Sequence, residues 1–174
     1  MQKRNILAML EGGDRRTIGR SDQAVEIVTR DPNLFPALIR GLWSADPLVR
    51  MRAADATEKV TRERPELLQP FKKELLGLLK ETKQQELRWH LALMIPGLEL
   101  TAAERRTAIS SLKLYLQDSS SIVKTFALQG LADLAQNEAS IQPEVLEILR
   151  EAVRNGTPAM KARSRKLLVR LERV

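Results

Sequence analysis

Residues 46–60 read DPLVRMRAADATEKV. Asp46 followed by Pro47 is a helix start, because the carboxylate can accept from free backbone N–H groups and the fixed φ of proline suits the first helical position. Behind it, Val49, Ala53, Ala56 and Val60 fall at i, i+4, i+7 and i+11, one face of an α-helix. Leucine at the two central positions would bury more apolar area than alanine does. Alanine there is expected where a neighbouring backbone crosses closely, since larger side chains would overpack the crossing at a cost of about 1–3 kcal/mol.

The same stripe recurs along the chain. It returns as Leu87, Leu91, Met94 and Leu98, then as Val123, Ala127, Gly130 and Leu134, then as Met160, Ser164, Leu167 and Leu171. Small residues again hold the middle of the third stripe, and Ser164 stands in the fourth. A partner helix marks each unit through Leu38/Leu42, Leu75/Leu79, Leu112/Leu116 and Leu149/Val153, each pair 37 residues after the one before. Proline and glycine punctuate the boundaries at Asp31-Pro32, Asp46-Pro47, Arg64-Pro65, Gln69-Pro70, Pro96-Gly97, Gln142-Pro143 and Asn155-Gly156. Aromatic residues make up only 3% of the chain, and Leu, Ala, Glu, Arg and Lys are abundant, so helix is favoured over strand throughout. The fold class is read as all-α.

Several of these stretches resemble the HEAT repeat family, in its bacterial form. Asp46, Pro47, Val49, Arg50, Ala53, Ala54 and Ala56 match the family pattern; SSIVKTFALQGLADLA follows it at Val123, Lys124, Ala127 and Leu134, and TPAMKARSRKLLVRL at Pro158, Met160, Lys161 and Leu171. QQELRWHLALMIPGL keeps Leu87 and Arg88 but breaks at Pro96-Gly97. The resemblance implies an armadillo-like, right-handed α-solenoid of about four to five helix pairs. Its expected divisions, within one domain spanning 1–174, are a degenerate unit at 1–45, repeats at 46–83, 84–118 and 119–156, and a capping helix at 157–174. HEAT arrays serve as scaffolds, transport adaptors and regulatory subunits, and HEAT-like arrays include alkylpurine DNA glycosylases, so the resemblance alone does not select a function.

Composition narrows the choice. With no cysteine and a single histidine, His90, the chain cannot build thiolate or imidazole metal clusters, and no metal or cofactor is expected. No apolar run approaches the roughly 20 residues of a membrane-spanning helix, and the N-terminal apolar stretch is too short for a secretory signal. The expectation is therefore a cytoplasmic protein with no membrane partner and no small-molecule substrate. The net charge of +7 is concentrated at the ends: residues 1–20 carry +3, with Lys3, Arg4, Arg15, Arg16 and Arg20 against Glu11 and Asp14, and residues 158–174 carry +5. A neutral body argues against a phosphate track along the whole molecule.

Period arithmetic then selects candidate contact residues. Trp43 shares its column with Lys80, Gln117 and Arg154, all polar, which predicts an exposed tryptophan; the competing reading packs it beneath the irregular first unit near Phe35 or Ile18. Arg40, Trp43, Lys80, Lys113, Tyr115 and Arg154 form the candidate partner-binding set, whose mixed charge suits a protein or peptide. Arg163, Arg165, Lys166 and Arg170 form a candidate anion-binding set on the last helix, where a solubilising cap is the competing reading. The recurring cations Arg50, Arg88, Lys124 and Lys161 are read as structural, reaching acidic groups or loop carbonyls of an adjacent unit. Trp89 and His90 stand in mixed columns that suggest partial burial. Three functions follow in order: a non-enzymatic scaffold or adaptor for a protein or peptide, a nucleic-acid binder through the basic ends, and a glycosylase-like enzyme drawing on Trp43, Asp46 and Trp89. No catalytic residues are assigned.

Overall fold

The computed structural model describes residues 5–14, 16–136 and 138–173. Lys3, Arg4 and Arg15 of the basic N-terminal stretch lie outside the described residues. Helix starts fall where capping chemistry places them. Asp46 accepts from the Leu48 amide at 2.8 Å and opens α3, Pro47–Glu63. Thr101 and Glu104 close a reciprocal capping box on α6, Ala102–Tyr115. Ser120 caps α7, Ser121–Ala135, and Thr157 caps α9, Pro158–Leu171. The other α-helices are α1, Ser21–Arg30; α2, Phe35–Ile39; α4, Lys72–Glu81; α5, Gln85–Met94; and α8, Gln142–Asn155. Short 3₁₀ turns join them, and no strand occurs among the described residues.

Two stretches depart from continuous helix. The seam Leu38/Leu42 is split between the short α2 and a 3₁₀ turn at Arg40–Trp43, although both leucines are fully buried. Gly41 lies so close to α3 that a Cβ there would sit 2.6 Å from the Ala53 Cβ. The stripe Leu87–Leu98 is not one helix either. α5 stops at Met94, because Pro96 has no N–H to give and its ring crowds the preceding turn, and Leu98 reaches the core from extended backbone.

The chain divides into two compact units, Met1–Pro70 and Phe71–Val174. The division falls in the 3₁₀ segment Pro65–Phe71 that follows α3, inside the stretch read as the 46–83 repeat.

In the first unit α1 and the α2 segment pack on α3, burying Ala24, Val28, Phe35, Leu38, Val49, Ala53, Ala56 and Val60. Its largest fully buried side chain is Arg52, 2% exposed. The guanidinium donates to the carbonyls of Leu10 (2.9 Å), Gly12 (2.5 Å), Asp14 (3.0 Å) and, through Nε, Thr17 (3.3 Å). The loop can wrap this closely because Gly13 and Gly19 take positive φ, and a Cβ on Gly19 would meet the Arg52 Cζ at 2.6 Å.

In the second unit α5, α7 and α9 pack side by side, while α4 lies on α5 and α6, α6 on α7, and α8 on α7 and α9. Gly130 answers the question posed by small residues in the stripe: a Cβ there would sit 2.4 Å from the Ala92 carbonyl oxygen of α5. The predicted stripes are buried throughout the unit, Met160 excepted, which is half-buried. Residues one period apart touch. Arg163 lies 5.4 Å over the Phe126 ring, and Arg170 pairs with Asp133 at 2.6 Å. Within the first unit, Lys59 and Asp22 pair at 2.7 Å across the same spacing.

Candidate binding grooves

Helix α6 carries a groove on either side. Between α6 and α8 lies an open groove of about 710 Å³, floored by Leu116, Leu128, Ile148, Ala152 and Met160. It exists because α8 packs on α7 and α9 rather than closing on α6. Gln117, Asn155 and three carboxylates, Glu144, Glu147 and Glu151, complete its lining. Lys113 pairs with Glu144, and Arg154 bridges Glu147 (2.9 Å) and Glu151 (2.8 Å). Lys113 and Arg154 therefore act as counter-ions along the rim. Solvated pairs of this kind contribute at most about 1 kcal/mol, so an incoming group can displace them at low cost.

On the other side of α6, a shallower groove of about 440 Å³ is lined by Lys80, Ala103, Arg106, Thr107, Ser110, Ser111 and Leu114. Leu114 is 72% exposed. No carboxylate lines it.

The predicted contact residues separate on inspection. Trp43 is 44% exposed at the end of its 3₁₀ turn, and Arg40 beside it is also exposed. Lys80 is exposed at the end of α4. Tyr115 corrects the expectation of an exposed contact residue: it is 4% exposed, donates its hydroxyl to the Leu79 carbonyl at 2.6 Å, and lies under the Arg88 guanidinium at 5.1 Å. Burial raises its phenol far above the usual range. Its own column, Leu78 and Ala152, is apolar and carried that signal.

The basic helix α9 also divides. Arg163 donates to the Gln129 side chain at 2.9 Å, and Arg170 is tied to Asp133, so both bind α9 to α7. Arg165 and Lys166 remain exposed. The cation ladder is structural at its first two rungs, with one shift from expectation. Arg50 donates to the Ser44 carbonyl at 2.7 Å and Arg88 to the Thr82 carbonyl at 2.9 Å, each in the loop before its own helix. Arg88 also pairs with buried Asp118 at 2.5 Å. Burial alone would raise the Asp118 carboxyl, but the Ser120 amide and Arg88 outweigh it and hold it below the ordinary carboxylate range.

Of the residues weighed for enzymatic work, Trp43 is exposed, and Asp46, Trp89 and His90 make local contacts. Asp46 caps α3. Buried His90 faces the Glu86 carbonyl at 2.7 Å through Nδ1 and takes the Trp89 indole N–H at 3.3 Å on Nε2. Among the described residues no group of His, Cys, Asp and Glu could hold a metal ion, and no helix is long and apolar enough to cross a membrane. No protein-family model, curated protein or solved structure matches the chain.

Proposed function

We propose that this chain is a non-enzymatic scaffold or adaptor that binds a protein or peptide partner, built as a right-handed α-solenoid of HEAT-like helix pairs. The repeat reading is supported by contacts between residues one period apart, Phe126 with Arg163 and Asp133 with Arg170, as expected when successive units stack by a constant step. The binding reading is carried by the α6–α8 groove, whose apolar floor and displaceable charged rim resemble the core and rim of protein interfaces. Flexible Met160 in its lining allows the floor to adapt to a side chain.

The test is partner enrichment from native extract with the full chain and with Gln117→Trp, which fills the groove from an exposed position. A protein recovered reproducibly with the parent chain and lost with the variant is the expected result. Recovery of nothing, or equal recovery with both, refutes it.

A further inference from the structure

The cations around α6 are not equivalent. Lys72 pairs with Glu104, Arg105 with Glu138 in the loop before α8, and Lys113 with Glu144, so these three cations are already engaged. Lys80 and Arg106 form no ion pair with any described residue, yet both line the α4–α6 groove, beside the hydroxyls of Thr107 and Ser110 and the exposed Leu114. Two uncompensated cations, hydroxyl donors and an apolar knob, with no carboxylate in the lining, are complementary to carboxylates carried on an apolar framework.

We propose that the α4–α6 groove receives an acidic peptide segment, its carboxylates held by Lys80 and Arg106 and one apolar side chain packed on Leu114. This rests on the reading of the chain as a protein-binding module and names the chemistry of the partner. Arg106 and Leu114 are eight residues apart on α6, or about 12 Å along its axis. An extended segment spans that distance in about four residues, which sets the spacing between its acidic and apolar side chains. A nucleic acid fits poorly. A phosphate chain continuing across α6 would meet Glu144, Glu147 and Glu151 of the neighbouring groove, whereas a short peptide ends before it.

The experiment is fluorescence anisotropy of the full chain with labelled peptides carrying Asp and Glu about four residues from a Leu, alongside the same peptides with Asn and Gln. The parent chain is expected to bind the acidic peptides in a salt-sensitive manner. Lys80→Glu with Arg106→Glu weakens binding by about tenfold or more, while the equal charge change Arg165→Glu with Lys166→Glu on α9 weakens it by less than about twofold. Equal binding of acidic and neutral peptides, or equal weakening by both double variants, overturns the proposal. Duplex DNA binding tightly at the same groove, lost in the Lys80/Arg106 variant, overturns it in favour of a nucleic acid. If the acidic peptides fail while enrichment still yields a protein lost with Gln117→Trp, the inference falls and the scaffold reading stands. If both fail, both fall.

Discussion

Replacing Arg52 with methionine removes a buried guanidinium that ties the N-terminal loop to α3. Four hydrogen bonds from the guanidinium reach backbone carbonyls at 2.5–3.3 Å, and the group is 2% exposed. A bond from a charged donor contributes about 1.5–3 kcal/mol net, but burying the guanidinium costs several kcal/mol, so the four do not simply add. What decides the variant is the set of acceptors left behind. The Leu10 carbonyl is buried and loses its charged donor, whereas Gly12, Asp14 and Thr17 are exposed residues whose carbonyls can turn to water, and Asp14 keeps the Thr17 amide and hydroxyl as donors. We expect a loss of about 2–3 kcal/mol, the upper part of the cost of leaving a buried acceptor without its donor. Lysine at the same position recovers only part of this, because a compact ammonium cannot fan out to four carbonyls. The assay is urea unfolding in a Trp89→Phe background, where Trp43 reports on the first unit, with hydrogen exchange of the loop amides. Methionine within about 1 kcal/mol of the parent, with unchanged exchange of the loop amides, would show that the guanidinium does not hold the loop.

Three further outcomes follow from the packing and the charges. Gly130→Ala drives a Cβ into the Ala92 carbonyl and destabilises the second unit by about 1–3 kcal/mol in denaturant titrations, whereas Gly77→Ala, with open space around its Cα, does not. Asp118 has a folded-state pKa below its unfolded value of 3.8, so its contribution is complete above that value and lost as pH falls through the folded-state value. Melting curves therefore show stability eroding below about pH 4, with a shallower acid limb in Asp118→Asn. Acrylamide quenches Trp43 strongly in the Trp89→Phe background; strong protection would remove the exposed tryptophan.

What could be read in the sequence was what repeats. Val49, Ala53, Ala56 and Val60, and their counterparts a period on, were legible because the same i, i+4, i+7, i+11 spacing returns each time, with small residues wherever two helices cross closely. Arg52 was not legible, since its burial comes from a loop that lies far away in sequence and leaves only Gly13 and Gly19 as traces. The double role of α9 was partly hidden: Arg163 and Arg170 look like a surface charge run until each is set against the residue one period earlier, Phe126 and Asp133. The grooves beside α6 depend on how far α8 and α4 stand from it, distances that no periodicity encodes.

The central claim, that the chain binds a protein through the face built around α6, is tested most directly by photo-cross-linking. A photoreactive side chain is placed at Gln117, at Lys80 or, as control, at Arg165, and irradiated in native extract. A discrete cross-linked protein is expected from Gln117 or Lys80 and none from Arg165. Cross-links from Arg165 alone, or to nucleic acid at any of the three, would contradict the claim.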